Sequence, residues 1–267
     1  MTAAMSEMDF LQVQQLFERH TGIRIAEHKL TMVENRLASR LRDSQCSSYT
    51  QYLERIQDES GKTELGVFID RLTVHETYFF REPRQFNYLT NYLQQKQIHQ
   101  PLKVWSAACS TGEEVYSLAM VLSDALEVSN WQVLGTDVSK QAIETAKRCQ
   151  YELSLAEKIP SYYRRTYCLK GVGEFSDHFI LSKAIQQRCQ FKVMNLIEDD
   201  VGETFDIIML RNVLIYFDQS TQQSLAKKVI DQLNIGGLLL LGHSENIIKN
   251  HPNMEPIETC IYRKVGE

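Results

Sequence analysis

The chain has 267 residues, 43% of them hydrophobic, and carries a formal net charge of −5. This length allows one large domain or a small domain beside a medium one, and the negative charge disfavours a general nucleic-acid-binding surface. No apolar run is long enough to span a bilayer, and the first residues lack the basic and apolar regions of a secretory signal. The six cysteines are scattered without a C-x-x-C pair, which favours free thiols in a reducing cytoplasm. We expect no metal site.

The first part of the chain is predicted to be helical throughout, because its apolar residues recur at helical spacing. Phe10, Val13 and Phe17 mark the first helix, which Gly22 is expected to end. The next apolar stripes comprise Leu30, Val33, Leu37 and Leu41; Tyr52, Leu53 and Ile56; and Leu65, Phe68, Ile69 and Leu72. Pro83 suits the first turn of a further helix. We therefore expect an all-helical N-terminal domain over residues 1–85.

Beyond Pro101, short apolar runs alternate with amphipathic helices. The predicted strands are LKVWSAA, WQVLGTD, FDIIMLRN and GGLLLLGHS, which begin at Leu102, Trp131, Phe205 and Gly236. Continuous apolar runs are typical of buried parallel strands, and their alternation with helices indicates a doubly wound, Rossmann-like α/β sheet. This second domain is predicted over residues 86–267. A segment at about 160–190, rich in β-forming residues, is predicted to be a small antiparallel β insertion.

The loop after the first predicted strand reads STGEE and has a single glycine, Gly112. Such a loop lies at the carboxyl end of its strand, where sheets of this kind bind ligands. Pyrophosphate cofactors favour G-x-G-x-x-G there, and the carboxylates of Glu113 and Glu114 would repel a pyrophosphate. They suit S-adenosylmethionine, which has a sulfonium and an ammonium but no phosphate. Glu114 alone has a simpler explanation, since acidic residues stabilise the first turn of a helix.

Asp137 ends the second predicted strand. A carboxylate at that place can accept hydrogen bonds from both hydroxyls of a ribose. It can equally cap the following helix, which is predicted to start at Ser139. The residues alone leave both roles open.

Six motifs in one order carry a resemblance to a known family. They are LTVHETYFFRE, VWSAACSTGEEVYSLAM, LGTDVS, VMNL, MLRNVLIYFD and GGLLLLGHSEN. Together they resemble the CheR-type chemotaxis receptor methyltransferases over nearly the whole chain. Members of that family transfer methyl from S-adenosylmethionine to glutamate side chains on chemoreceptor helices, giving glutamyl methyl esters and S-adenosylhomocysteine. The resemblance implies a helical domain before a class I methyltransferase domain, and a cytoplasmic enzyme that is recruited to membrane receptor arrays.

The resemblance also implies roles for individual residues. Arg81, which we count among the catalytic residues, would pair with the methionine carboxylate of the cofactor, as a guanidinium can do with two parallel hydrogen bonds. Thr77 would contact the cofactor, Glu114 would hold its amino end and Asp137 its ribose. His75 stands where the family usually has asparagine. Its imidazole can donate one hydrogen bond, but it is bulkier and titratable.

The later motifs supply the other implied residues. Asn195 and Leu196 would flank the adenine, and Arg211 and Asn212 would line the pocket. Tyr216, the second catalytic residue, would lie near the transferred methyl group. A strong general base is not needed, because the acceptor glutamate is already ionised near pH 7.

Several of these residues also have a structural explanation. Arg81 could form an ion pair on a surface helix, and Thr77 could cap a helix. Asn195 could simply close a turn. Tyr216 could belong to the core, because it lies in the apolar run VLIYF.

Receptor docking by a net acidic chain requires a local basic patch. Lys29, Arg36 and Arg40 recur at helical spacing opposite the apolar stripe of their helix, and Arg42 lies near its end. The same pattern suits an ordinary solvated helix face, but the resemblance implies that the N-terminal domain contacts the methylated helices. Gly171–Gly173 resembles a Gly-x-Gly insertion of family members that hold a short C-terminal receptor peptide. A plain hairpin turn would look similar.

Three rival functions stay open at this point. A nicotinamide-dependent oxidoreductase is disfavoured by the missing glycines and by the adjacent carboxylates of Glu113 and Glu114. A non-catalytic receptor-binding adaptor is disfavoured because Arg81 and Tyr216 are both present. A methyltransferase of the same family that serves another sensory pathway would have the same catalytic domain.

Overall fold

The computed structural model describes residues 4–95, 100–126, 131–245, 247–248 and 251–266. Its first part is helical, as predicted, with α1 to α5 at Glu7–Thr21, Leu30–Asp43, Tyr49–Gln57, Lys62–Leu72 and Pro83–Gln95. The predicted apolar stripes of α1 to α4 meet in one core that includes Phe17, Leu37 and Phe68. Gly22 follows α1 in the left-handed conformation, with a φ of 72°, as is common at a helix C-terminus.

The following part is an α/β unit. Its strands β1 to β10 are Leu102–Ala107, Trp131–Asp137, Gln150–Glu152, Cys168–Lys170, His178–Leu181, Cys189–Val193, Phe205–Leu210, Leu233–Leu241, Met254–Glu258 and Ile261–Lys264. Its helices α6 to α10 are Glu113–Ala125, Lys140–Arg148, Ser161–Tyr167, Lys183–Gln186 and Gln219–Asp231. Seven strands form one sheet in the order β6-β2-β1-β7-β8-β10-β9. The first five run parallel, and β10 pairs antiparallel with β8 and β9.

This sheet confirms the predicted doubly wound architecture. Alternate residues of the central strands face opposite cores: Val104 and Met209 belong to one cluster, and Trp105 and Ile208 to the other. Both faces are therefore covered, which explains why the central strands read as continuous apolar runs. Because β1, β2 and β7 are parallel neighbours, their carboxyl ends meet at one edge of the sheet.

The β insertion differs from its predicted position. A separate three-stranded sheet, in the order β3-β5-β4, runs from Gln150 to Leu181, and it encloses helix α8. The expected 160–190 range starts too late because β3 has only three residues, too few to show a period. It ends too late because Cys189–Val193 pairs with β2 in the main sheet.

The helical domain packs against the carboxyl edge of the main sheet. The Asp70 carboxylate accepts a 2.6 Å hydrogen bond from the Ser139 hydroxyl at the start of α7. The Arg24 N–H donates to the Tyr216 carbonyl over 3.2 Å. The predicted domain boundary after residue 85 falls within α5, which packs on α6, and it stays a prediction. In the part of the chain described above, no helix has the length and apolar character needed to cross a membrane.

Candidate functional site

A cavity of about 370 Å³ lies between the helical domain and the carboxyl edge of the sheet. Its wall includes every residue predicted for the catalytic and cofactor positions: His75, Thr77, Arg81, Glu114, Asp137, Asn195, Leu196, Arg211, Asn212 and Tyr216. These residues come from five separate segments of the chain, so only the fold brings them together. Their contact with a cofactor stays a prediction.

The loop after β1 forms one side of the cavity in a strained conformation. Ala108, Ser110 and Gly112 have φ values of 63°, 50° and 96°, and the first two are unusual for residues with a side chain. A Cβ atom at Gly112 would lie 2.8 Å from the Cβ of Ala146 on α7. One glycine is therefore needed here for close packing on α7. The wider glycine pattern of pyrophosphate sites is absent.

Asp137 supports this loop from the end of β2. Its side chain is buried and accepts hydrogen bonds from the backbone N–H groups of Ser110, at 2.8 Å, and Ser139, at 2.9 Å. Ser139 itself caps α7, since its hydroxyl accepts from the Ala142 N–H. The capping alternative for Asp137 is therefore wrong. Burial raises the pKa of Asp137, and the nearby His75 acts in the opposite direction.

The floor of the cavity contains a buried ionic group. The Arg211 guanidinium, whose side chain is 1% exposed, lies 3.1 Å from Glu114 Oε2 and 3.2 Å from Glu82 Oε2. The Ser106 hydroxyl donates to the other oxygen of Glu114 at 2.7 Å. Burial raises the pKa of Glu114, and Arg211 opposes that shift. With both carboxylates ionised, this floor carries one excess negative charge.

The segment from Thr73 to Glu82 forms another side of the cavity. The His75 ring bridges the Thr73 hydroxyl, 2.9 Å from Nε2, and the Ser110 hydroxyl, 3.2 Å from Nδ1. The Arg81 guanidinium donates to the Glu76 carbonyl and lies over the Tyr78 ring at 5.9 Å.

This segment is irregular, which decides two of the structural alternatives. The next helix after Thr77, α5, begins six residues later at Pro83, and Arg81 lies in a turn before it. Neither the cap proposed for Thr77 nor the surface helix proposed for Arg81 is therefore present.

Asn195 does close a turn, as its structural alternative held. Its Oδ1 accepts from the Ile197 N–H at 3.0 Å, and its Nδ2 donates to the His20 carbonyl at 2.9 Å. The second bond ties the loop after β6 to the end of α1. Leu196 is buried beside it. An adenine contact by Asn195 would therefore have to coexist with both bonds.

Tyr216 lies at the wall of the cavity, outside the core. It ends a short 3₁₀ turn, Leu214–Tyr216, that follows β7. Leu214 and Phe217 are buried on either side, whereas Tyr216 is half-buried. The core alternative therefore applies to Leu214 and Phe217 but not to Tyr216.

Several residues at this site are not predicted by the sequence. The helical domain supplies one wall of the cavity through Ile23, Ile25 and Met32, among others. Glu82 stands in the FFRE motif and Glu245 in the HSEN motif, but a motif alone gives neither a partner. A cue for Glu82 was available, because an acidic residue beside Arg81 is unusual for a site that takes a carboxylate.

The four docking candidates do not form one continuous surface. Lys29 and Arg42 are exposed. Arg36 donates to the carbonyls of Arg71, Leu72 and Thr73 at the end of α4. Arg40 pairs with two carboxylates, at 2.8 Å from Glu64 and 2.7 Å from Asp43.

These contacts give two of the candidates a structural role. Arg36 satisfies carbonyls that a helix C-terminus leaves without partners, and Arg40 neutralises a half-buried glutamate. Burial raises the pKa of Glu64, but the hydrogen bond from Arg40 outweighs it together with other contacts, so that the pKa is lowered. A docking role for any of the four stays a prediction.

Two family models match the chain. The one described as "CheR methyltransferase, all-alpha domain" matches residues 8–73, and the one described as "CheR methyltransferase, SAM binding domain" matches residues 75–262. The curated chemotaxis protein methyltransferase of Salmonella typhimurium is 35% identical over 91% of this chain and 85% of its own length. Chemotaxis protein methyltransferase 2 of Pseudomonas aeruginosa is 36% identical over 95% of this chain and 92% of its own length. The chemotaxis protein methyltransferase of Escherichia coli is 34% identical over 91% and 86%.

Proposed function

The chain belongs to the CheR methyltransferase family, and from that premise we propose that it methylates glutamate side chains of chemoreceptors. It is an S-adenosylmethionine-dependent methyltransferase with a helical N-terminal domain. The proposal concerns the acceptor: an ionised carboxylate that is presented on a receptor helix. The observation that carries it is the cavity between the helical domain and the sheet, with Tyr216 at its wall.

The charges of the cavity fit the cofactor. The excess negative charge of the Glu82–Arg211–Glu114 group suits the ammonium and the sulfonium. Among the described residues, the Arg81 guanidinium contacts a carbonyl and a ring face but no carboxylate, so it can turn to the carboxylate of the cofactor. Asp137 still has lone pairs for a ribose after it accepts two N–H bonds. We therefore assign Glu114 to the amino end, Arg81 to the carboxylate and Asp137 to the ribose.

Methyl transfer to an ionised carboxylate requires little acid–base catalysis by the protein. The cofactor supplies a methyl group on a sulfonium, which leaves as a neutral thioether. The chain must desolvate the acceptor carboxylate and align its oxygen with the methyl group. The Tyr216 side chain, half-buried at the junction of the two domains, is placed to orient that oxygen through its hydroxyl.

The proposed function is tested by label transfer. The purified protein is incubated with methyl-labelled S-adenosylmethionine and membranes that carry candidate chemoreceptors, and the products are treated with alkali. Receptor-sized label that is released as volatile methanol would establish methyl-ester formation. Tight cofactor binding without alkali-labile label across a broad receptor panel would favour the non-catalytic adaptor.

Tyr216→Phe is expected to lower the turnover number about tenfold to a hundredfold and to leave cofactor affinity within about twofold. The hydroxyl is lost, but the ring still fills the cavity wall. Turnover is measured by methanol release at saturating cofactor, and affinity by calorimetry with S-adenosylhomocysteine. Unchanged turnover would reject the orienting role of Tyr216.

Arg42→Glu is expected to raise the Michaelis constant for the receptor about tenfold without changing affinity for S-adenosylhomocysteine. Arg42 is exposed, so this reversal changes surface charge without breaking an internal pair. Arg40→Glu is the comparison, because it also places a carboxylate beside Glu64 and Asp43 and should lower the melting temperature. An unchanged Michaelis constant in Arg42→Glu would remove Arg42 from the docking surface.

The β insertion is the proposed site for a C-terminal receptor peptide. Strand β4 lies at the edge of the small sheet and can add a further strand. Beside it, Val172 and Phe175 are 83% and 57% exposed. A Cβ at Gly171 would lie 2.0 Å from the Phe175 carbonyl oxygen, so this turn needs glycine at its first position.

A further inference from the structure

The buried carboxylate of Glu245 is bound entirely by backbone N–H groups. Its Oε1 accepts from Val213 and Leu214, both at 2.8 Å, and its Oε2 accepts from Asn212 at 3.0 Å and Gly242 at 2.7 Å. Glu245 is 4% exposed. Within the described residues, no lysine, arginine or histidine forms an ion pair with it. Burying a charge is unfavourable unless hydrogen bonds compensate it. The four N–H groups supply that compensation, so the carboxylate depends on this backbone conformation.

The backbone around Glu245 is adapted to this contact. Asn212 has a φ of 57°, which turns its N–H toward the carboxylate. A Cβ at Gly242 would lie 2.8 Å from Glu245 Oε2 and 2.7 Å from Asn212 Nδ2. Position 242 therefore has to be glycine for the two segments to approach. A strained residue and a required glycine on the two sides of one carboxylate show that the contact determines the local backbone.

The loop held by Glu245 is the one that carries the proposed catalytic residue. Arg211 directly precedes the bound N–H groups of residues 212–214, and Tyr216 lies two residues after them. On the opposite side, the Gln222 side chain donates to the carbonyls of Leu214, at 2.9 Å, and Phe217, at 3.0 Å. The loop is thus held through its N–H groups by one side chain and through its carbonyls by another.

We propose that Glu245 is the positioning residue of this site and fixes the loop from Asn212 to Tyr216 in the conformation that methyl transfer needs. Glu245 does not line the cavity, so it acts through the loop and not on cofactor or acceptor. The kinetic part of this inference rests on the proposed function. The structural part, that the carboxylate immobilises the loop, does not.

Glu245→Gln is the test, because an amide group replaces one oxygen at nearly constant volume. In either orientation the amide N–H groups face two backbone N–H groups, so two of the four bonds are lost. Hydrogen exchange is measured by mass spectrometry on peptides that cover residues 211–217 and, separately, strands β7 and β8. We expect exchange at residues 212–214 to rise at least tenfold while the strands keep their protection. Glu203→Gln, at an exposed glutamate paired with Lys103, is the matched control.

Turnover at saturating cofactor is expected to fall more than tenfold in Glu245→Gln. Glu245→Asp keeps the charge but withdraws both oxygens. Its turnover should lie between that of Glu245→Gln and that of the unchanged protein. If Glu245→Gln does not fold, the Asp variant carries the exchange measurement. Unchanged exchange at residues 212–214 would overturn the proposal, and so would loss of protection spread evenly over the strands. If no receptor accepts methyl groups, the exchange result still decides the positioning role.

Discussion

Arg211→Met is expected to lower the free energy of unfolding by about 3–5 kcal/mol and to abolish measurable binding of S-adenosylhomocysteine. The guanidinium lies within 4 Å of the buried carboxylates of both Glu82 and Glu114. Without it, two buried like charges face each other in a medium of low polarity, where removing one partner of an ion pair is strongly destabilising. Unfolding by denaturant gives the stability, and calorimetry gives the affinity.

The loss of stability in Arg211→Met should depend on pH in a defined direction. The pKa of Glu114 is already raised by burial, and Arg211 is the largest influence that lowers it, so the variant should raise it further. A carboxyl whose folded pKa lies above its unfolded value destabilises the fold when it is ionised. The deficit of Arg211→Met should therefore be full at pH 8 and shrink as the pH falls through the raised pKa.

Two variants make this result specific. Arg211→Lys keeps a charge but not the fork of donors, and it should recover part of the stability. Arg71→Met removes an exposed arginine and should change the unfolding free energy by less than about 0.5 kcal/mol. A deficit in Arg211→Met that stays constant between pH 5 and pH 8 would contradict the ionic explanation.

Periodic apolar patterns made most of the fold predictable. The stripes of α1 to α4 and the continuous apolar runs of β1, β2 and β7 each need only local information, because a buried helix face or strand dictates its own spacing. The position of the site can then be predicted from the predicted strands. Asp137 ends β2 and Arg211 follows β7, and the ends of parallel neighbours must meet.

Long-range polar contacts could not be predicted from periodic patterns. Arg36 is separated in sequence from the carbonyls at the end of α4, so its exposed-face pattern gave no sign of that contact. Glu245 follows the last parallel strand and accepts N–H groups from the loop after β7. Both depend on where two elements cross, which no periodicity encodes. A short strand such as β3 fails for the opposite reason, because its three residues carry too little pattern.

Asp137→Ala is expected to weaken binding of S-adenosylhomocysteine about a hundredfold, or by about 2.8 kcal/mol. The variant would lose the proposed ribose hydrogen bonds, each worth about 1.5–3 kcal/mol to a charged acceptor. It would also release the Ser110 N–H and with it the strained loop beside the cavity. Helix α7 should persist, because Ser139 caps it independently.

Asp70→Ala provides the matched control for this last result. Asp70 accepts hydrogen bonds from the Ser139 hydroxyl, at 2.6 Å, and from the Gln141 N–H, at 3.3 Å, so it supports the same helix start from outside the cavity wall. Its removal should lower the melting temperature and leave affinity within about twofold. If both variants weakened binding equally, Asp137 would act only by supporting the start of α7. A loss confined to Asp137→Ala would assign the affinity to the carboxylate that faces the cavity.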